Sequence, residues 1–218
     1  MDKPNMQISI VSDVVCPWCY IGKRRLEKAI QALEHEFSFE LQYQPFELNP
    51  DMPETGTNLK EYLSSKFGGA NKYDEISRHV TKVAADEGLV FDFDKQQISP
   101  NTKKAHRIIW AAGQIDKQIP VVEAFFKAYF TDGIDLTHTD NLKNIALSAG
   151  LTKQEIENAL QDDVSLQAVS RIQLHNRNMG INSVPFYIVN GKYAISGAQP
   201  TEVFISALKE IANTQSQK

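Results

Sequence analysis

Only two of the 218 residues are cysteine, so no framework of disulfides holds this chain together and its stability must come from a packed core. No apolar run approaches the roughly 18 to 20 residues that cross a bilayer, which excludes a helical membrane span. Nor is there an excess of basic charge. The 23 Lys and Arg stand against 27 Asp and Glu, a net charge of −4, and with both signs interspersed no stripe is left to track a phosphate backbone. Membrane and nucleic acid are therefore not expected as partners. The start, Met1-Asp2-Lys3-Pro4-Asn5-Met6-Gln7, runs straight into the strand-like Ile8-Ser9-Ile10-Val11 and leaves no room for a secretory n-region and h-region, so the expected location is the cytoplasm. No nucleotide or flavin motif, internal repeat or low-complexity segment is visible, and no tightly bound cofactor is expected.

What is present is a 42% hydrophobic content, enough for a sizeable core, and a clear change of pattern along the chain. Ile8-Ser9-Ile10-Val11-Ser12 alternates as a strand does. After Cys16-Pro17-Trp18-Cys19 the apolar Leu26, Ala29, Ile30 and Leu33 recur at helical spacing. A second strand is predicted over about 39–46, ending in the turn-rich Asn49-Pro50-Asp51-Met52-Pro53. From Asn58 to Gly180 the reading is helical, with segments near 58–67, 71–87, 101–113, 119–131, 139–149, 152–161 and 163–179, broken at glycines. Thr152-Lys153-Gln154-Glu155 has capping-box spacing. The β pattern returns at Phe186–Val189, turns at Asn190-Gly191 and continues over Lys192–Ile195, because Asn-Gly supplies the positive φ of a two-residue hairpin turn. A last helix is predicted from about Pro200 to Ala212, with a frayed tail from Asn213 to Lys218.

The paired cysteines are three positions apart at the start of a helix. There a sulfur meets unpaired backbone N–H groups and the positive end of the helix dipole, both of which favour thiolate over thiol. Cys16, at the edge, is expected to be the nucleophile and the more exposed of the two. Cys19, one turn on, is placed to close a disulfide on it and resolve a mixed disulfide. Pro17 stiffens the turn, and Trp18 would offer an apolar face to an incoming chain. A C-x-x-C pair can also be half of a zinc site, but that needs two more ligands. No second C-x-x-C exists and His35, His79, His106, His138 and His175 are scattered singly, so no metal is expected.

Val15-Cys16-Pro17-Trp18-Cys19 after an opening strand, with Val184-Pro185 before a late one, resembles the DsbA-like thioredoxin superfamily, and within it the FrnE-like branch. Ser12-Asp13, Tyr20-Ile21-Gly22, Asn101-Thr102, Ala105-His106-Arg107 and Ser183-Val184-Pro185-Phe186 carry the likeness over nearly the whole chain. It implies an α/β, thioredoxin-like fold over residues 1–56 and 181–218, with a large all-helical domain, 57–180, inserted between the second and third strands. It also implies an active site between the two parts, and a cis Val184–Pro185 bond holding the Val184 backbone beside Cys16 for an extended substrate segment to pair with. From the residues alone, Pro185 could equally be an ordinary trans proline opening a strand.

Cys16, Cys19 and Pro185 are thus the catalytic candidates, with Pro17, Trp18 and Val184 as substrate contacts. Accessory candidates are Asp13, either a proton acceptor for Cys19 or a capping acid; Asn101, a helix cap; and His106, facing the groove or packed. Lys23, Arg24 and Arg25 read as a solvated face, and Phe125, Phe126, Tyr129 and Phe130 as core. The leading function is disulfide oxidoreduction on protein or small-molecule thiols, recycled by an external thiol and with glutathione as an eventual co-substrate. The alternatives are a glutathione-dependent isomerase or transferase of the kappa type, related to the 2-hydroxychromene-2-carboxylate isomerases, and a non-catalytic peptide-binding chaperone. Substrate, direction, electron partner and oligomeric state are not written in the sequence.

Overall fold

Alternation at the start of the chain becomes strand β1 (Asn5–Ser12), which buries Met6, Ile8 and Ile10 on one face in a computed structural model describing residues 3–216. Helix α1 (Pro17–Leu33) follows. Proline at its first position loses no hydrogen bond, and its buried Cys19, Leu26, Ala29 and Leu33 share the face turned to the core. Strand β2 (Ser38–Pro45) lies parallel to β1, while β5 (Phe186–Val189) runs antiparallel to β1 on its other side and β6 (Tyr193–Ser196) pairs with β5, giving the sheet order β2-β1-β5-β6. The closing helix α9 (Thr201–Ser216) packs on α1.

Between β2 and β5 stand the helices α2 (Leu59–Phe67), α3 (Ala70–Asp86), α4 (Lys103–Gly113), α5 (Gln118–Phe130), α6 (Thr139–Ser148), α7 (Lys153–Gln161) and α8 (Asp163–Asn178). This is the mixed α/β, thioredoxin-like architecture with its long helical stretch between the second and third strands of the sheet. The helical stretch also contains a two-residue antiparallel ladder, β3 (Thr57–Asn58) with β4 (Ile98–Ser99), too short to carry a periodicity. Each expected helix lies within a few residues of its predicted span, and Thr152 with Glu155 forms the capping box at the start of α7.

Two details differ. The register pairs Val189 with Tyr193, so three residues, not two, turn the hairpin, although Asn190 and Gly191 do carry the positive φ that the pair was expected to supply. Helix α9 continues through Asn213–Ser216, where a frayed tail was expected, while Gln217 and Lys218 lie outside the described residues.

One core runs from sheet to helices. Tyr20 of α1 stacks between Phe126 of α5 at 4.8 Å and Phe91 at 5.8 Å, and Phe91 stacks on Phe130 at 4.7 Å. Phe125, Phe126, Tyr129 and Phe130 are all buried, as their spacing predicted, and each such ring contributes about 1.5–3 kcal/mol. The open edge of β2 is partly closed by a side chain: Gln118 accepts from the Tyr43 N–H at 2.7 Å and donates to the Tyr43 carbonyl at 3.1 Å, as a neighbouring strand would.

Candidate active site

Cys16 is the N-cap of α1 and makes no side-chain cap hydrogen bond. Its N–H donates to the Asp13 carbonyl at 3.0 Å, and its carbonyl accepts from the Cys19 N–H at 3.0 Å, so the loop is folded tightly onto the helix start. Both cysteines are free thiols, and both are buried, 5% exposed for Cys16 and 2% for Cys19. Cys16 is the more exposed of the two, as expected, yet little of it reaches solvent. The reason is the loop across from it: the Cys16 thiol donates to the Val184 carbonyl at 3.6 Å, and the Val184–Pro185 bond is cis. Burial pushes the Cys19 thiol well above its ordinary range. Cys16, within hydrogen-bonding reach, raises it further, and the Ser12 hydroxyl and Asp13 backbone pull it only partly back.

The proximity of α1 to this loop depends on one small residue. A Cβ added to Gly22 would overlap the Tyr187 hydroxyl and stand 3.2 Å from Pro185 Cγ and 3.4 Å from the Ala198 backbone. Tyr187 cannot swing away, being fully buried and packed edge-on against Phe204 at 4.9 Å. Gly22→Ala is therefore expected to cost about 1–3 kcal/mol by overpacking and to slow chemistry at Cys16 by shifting α1 from Val184. Urea unfolding measures the first effect, and an unchanged midpoint would show that the helix can adjust freely.

Cys16, Pro17, Trp18 and Val184 line one side of a chamber of about 390 Å³, whose other walls are mainly apolar side chains of α2 and α3. Trp18 is half-buried, with its ring 6.1 Å from that of His79 on α3. The accessory candidates lie elsewhere. Asp13 is buried and caps no helix; one carboxylate oxygen accepts from the Leu48 N–H at 2.8 Å and the other sits 3.3 Å from His106 Nε2. His106, also 3.1 Å from the Phe46 carbonyl, is buried and is not part of the chamber wall. Asn101 accepts from the Lys103 N–H at 3.0 Å at the start of α4, where Thr102 is the N-cap, and donates to the Met52 carbonyl at 2.8 Å. Among the described residues there is no group of three or more His, Cys, Asp or Glu that could hold a metal ion.

Lys23, Arg24 and Arg25 are not a solvated face. Lys23 is 4% exposed and contacts Glu123 at 2.7 Å and Glu27 at 2.5 Å, while Arg24 pairs with Glu27 and Glu123 and Tyr20 donates to Glu123 at 2.7 Å. Burial would raise the Glu123 carboxyl, but the hydrogen bonds from Arg24, Lys23 and Tyr20 hold it down to about 2. Arg25 bonds Glu87, at the end of α3, at 2.6 Å and the Ala198 carbonyl at 2.6 Å. These ion pairs tie the helix that carries both thiols to α3 and α5. Glu27 is a neighbour on α1 itself, but Glu123 and Glu87 come from distant segments, so the basic run in α1 alone could not reveal them.

Residues 7–209 match the model of the DSBA-like thioredoxin domain. The chain belongs to that family. It is 30% identical to a probable DsbA oxidoreductase of Streptomyces coelicolor, with a TM-score of 0.87 over 94% of this chain and 89% of that one. The protein YwbO of Bacillus subtilis is 25% identical over 94% of this chain and 96% of its own length. The cytosolic disulfide reductase DsbM of Pseudomonas aeruginosa, solved with glutathione, shares the fold at a TM-score of 0.66 over 95% of this chain and 99% of that one, with 14% identity. This DsbA-like chain has its thiols, its cis-proline loop and its apolar chamber in one place. No helix among its described residues is long and apolar enough to cross a membrane.

Proposed function

We propose that this member of the DsbA-like family is a thiol-disulfide oxidoreductase. Cys16 attacks a substrate disulfide, Cys19 resolves the mixed disulfide, and an external thiol recycles the pair. The observation that carries the reading is the position of Cys16, free and at the first turn of α1, with its sulfur on the Val184 carbonyl and opening on the chamber while Cys19 lies deeper. Pro185 holds that loop against the thiol, and Pro17, Trp18 and Val184 meet the substrate. Glutathione is a candidate co-substrate, in keeping with DsbM. In the cytoplasm, whose thiol pool is reducing, reductase or isomerase use fits at least as well as oxidase use.

The test is the equilibrium between dithiol and Cys16–Cys19 disulfide in glutathione redox buffers, read by alkylation and mass. A potential near about −120 to −180 mV marks an oxidant or isomerase, and one near about −270 mV a reductant. If no intramolecular disulfide forms, the oxidoreductase reading fails. Stable retention of one glutathione on Cys16 would then favour the kappa-type alternative.

A further inference from the structure

We infer that the disulfide this chain takes is a small apolar one, best an aromatic disulfide bearing a carboxylate, and not a protein disulfide or oxidised glutathione. The inference rests on the oxidoreductase reading above and names the substrate class of the same site.

The chamber that Cys16 lines is partly enclosed. Helices α2 and α3 form much of its wall through Leu63, Ile76 and Val80, and the half-buried Trp18 has its ring 6.1 Å from that of His79 on α3. Its volume of about 390 Å³ is in the range that accepts a compact small molecule. An aryl ring buried there gains roughly 1.5–3 kcal/mol, whereas peptide amides or charged groups entering the same space lose water without enough partners to replace it. Oxidised glutathione, with several carboxylates and ammonium groups, is a poor fit for that reason. A protein segment would have only the Val184 backbone and a few polar side chains of the wall, among them Asn49, Tyr62, Ser77, Gln96 and Ser99, to pair with.

Charge narrows the class further. Among the described residues lining the chamber there is no acid, and Lys66 is its cation. Lys66 is held in place by polar neighbours of the same wall: its ammonium donates to Asn49 Oδ1 at 3.3 Å and lies 3.5 Å from the Tyr62 hydroxyl, which itself donates to Asn49. It also sits over the Tyr62 ring at 5.5 Å. One carboxylate of such a disulfide would meet this ammonium while its ring occupies the space between α2, α3 and Trp18, and the other ring with its carboxylate would stay toward the solvent.

The chemistry balances with the two thiols alone. The Cys16 thiolate attacks one sulfur of R–S–S–R, forming the Cys16–S–R bond and releasing R–S⁻. Cys19 then attacks the Cys16 sulfur, its proton passing to solvent or to the departing thiolate, and a second R–SH leaves. The dithiol is oxidised to a disulfide by two electrons as R–S–S–R is reduced to two thiols, and an external dithiol reverses the first change.

The experiment uses the reduced full chain and three disulfides: 5,5′-dithiobis(2-nitrobenzoate), oxidised glutathione and insulin. Each rate is divided by that of dithiothreitol with the same disulfide, which cancels the leaving group's own reactivity. The expected result is a normalised rate for the aromatic carboxylate about 10- to 100-fold above the other two, saturating with concentration. Lys66→Met, at an exposed position, should raise its half-saturating concentration about three- to fivefold and leave the uncharged 2,2′-dithiodipyridine unchanged. Equal or faster normalised reaction with insulin or oxidised glutathione overturns the inference and leaves the oxidoreductase reading standing. So does a Lys66→Met effect that is absent or the same for both aromatic probes. No exchange with any of the disulfides removes both.

Discussion

Cys16→Ser should reduce disulfide exchange to the buffer background, a loss on the order of 10³-fold or more, while Cys19→Ser should still accept a thiol and then hold it. The asymmetry follows from depth and order on the helix. Cys16 caps α1 with its sulfur at the chamber, and a serine hydroxyl there is neither ionised near neutral pH nor able to form the mixed disulfide. Cys19 lies one turn further in, is 2% exposed, and can be reached by its neighbour but not by a bulky reagent. With 5,5′-dithiobis(2-nitrobenzoate), Cys19→Ser should accumulate one thionitrobenzoate per chain by intact mass, and the parent should pass through that adduct to the internal disulfide. Because burial raises the Cys19 thiol, its thiolate is scarce at neutral pH, and resolution should quicken about tenfold per pH unit while the pH stays below the raised value. Adduct of equal lifetime in the parent and in Cys19→Ser would remove Cys19 from the resolving role. A flat pH profile would show that another step limits.

Glu123→Gln should destabilise the chain by about 3 kcal/mol, equivalent to roughly 6–12 °C in melting temperature for a protein of this size. Glu123 is 31% exposed, but the Lys23 ammonium it holds is 4% exposed and would keep only Glu27 as a charged partner. The penalty is that of leaving a buried cation half-paired, which exceeds the worth of an exposed ion pair. The sign with pH is fixed by the direction of the shift. The folded carboxyl is depressed to about 2 from an ordinary 4.5, so its stabilisation is fully present above about pH 4.5 and is lost as the pH falls toward 2. Parent and variant melting curves should therefore differ most near neutral pH and converge in acid. A difference of under about 2 °C at pH 7, or one that persists undiminished at pH 2.5, would place the stability of this cluster in its packing instead of its charge.

The thiols, the sheet and the order of the helices were legible in the sequence because each is encoded over a few residues. Alternation at Ile8–Ser12 and Phe186–Val189, the Gly breaks between helical segments, the Thr152–Glu155 box and the Asn190-Gly191 turn all express preferences of the local backbone, and the structure keeps them. The placing of Cys16 and Cys19 at a helix start was legible for the same reason: a spacing of three before a helical repeat is a local pattern. What was misread depends on neighbours that the local pattern does not contain. Lys23 looked like a surface cation until Glu123 was brought to it, and Asp13, read as a proton acceptor or a cap, caps no helix because Leu48 and His106 meet its carboxylate. The β3–β4 ladder is two residues long on each side and has no period to detect.

The sequence by itself thus determined which residues pair as a C-x-x-C at a helix start and, to within a few residues, which elements hold them, since those follow from propensity, capping and spacing within one or two turns. Only the tertiary structure decided how accessible that chemistry is. The contact of His79 on α3 with Trp18, approach of the Val184 carbonyl to Cys16 across Gly22, and the pairing of buried Lys23 with Glu123 each join segments far apart in the chain. Burial and partnership are properties of the assembled core, and a thiol that spacing puts at the start of a helix becomes the wall of a mainly apolar chamber once that core has closed.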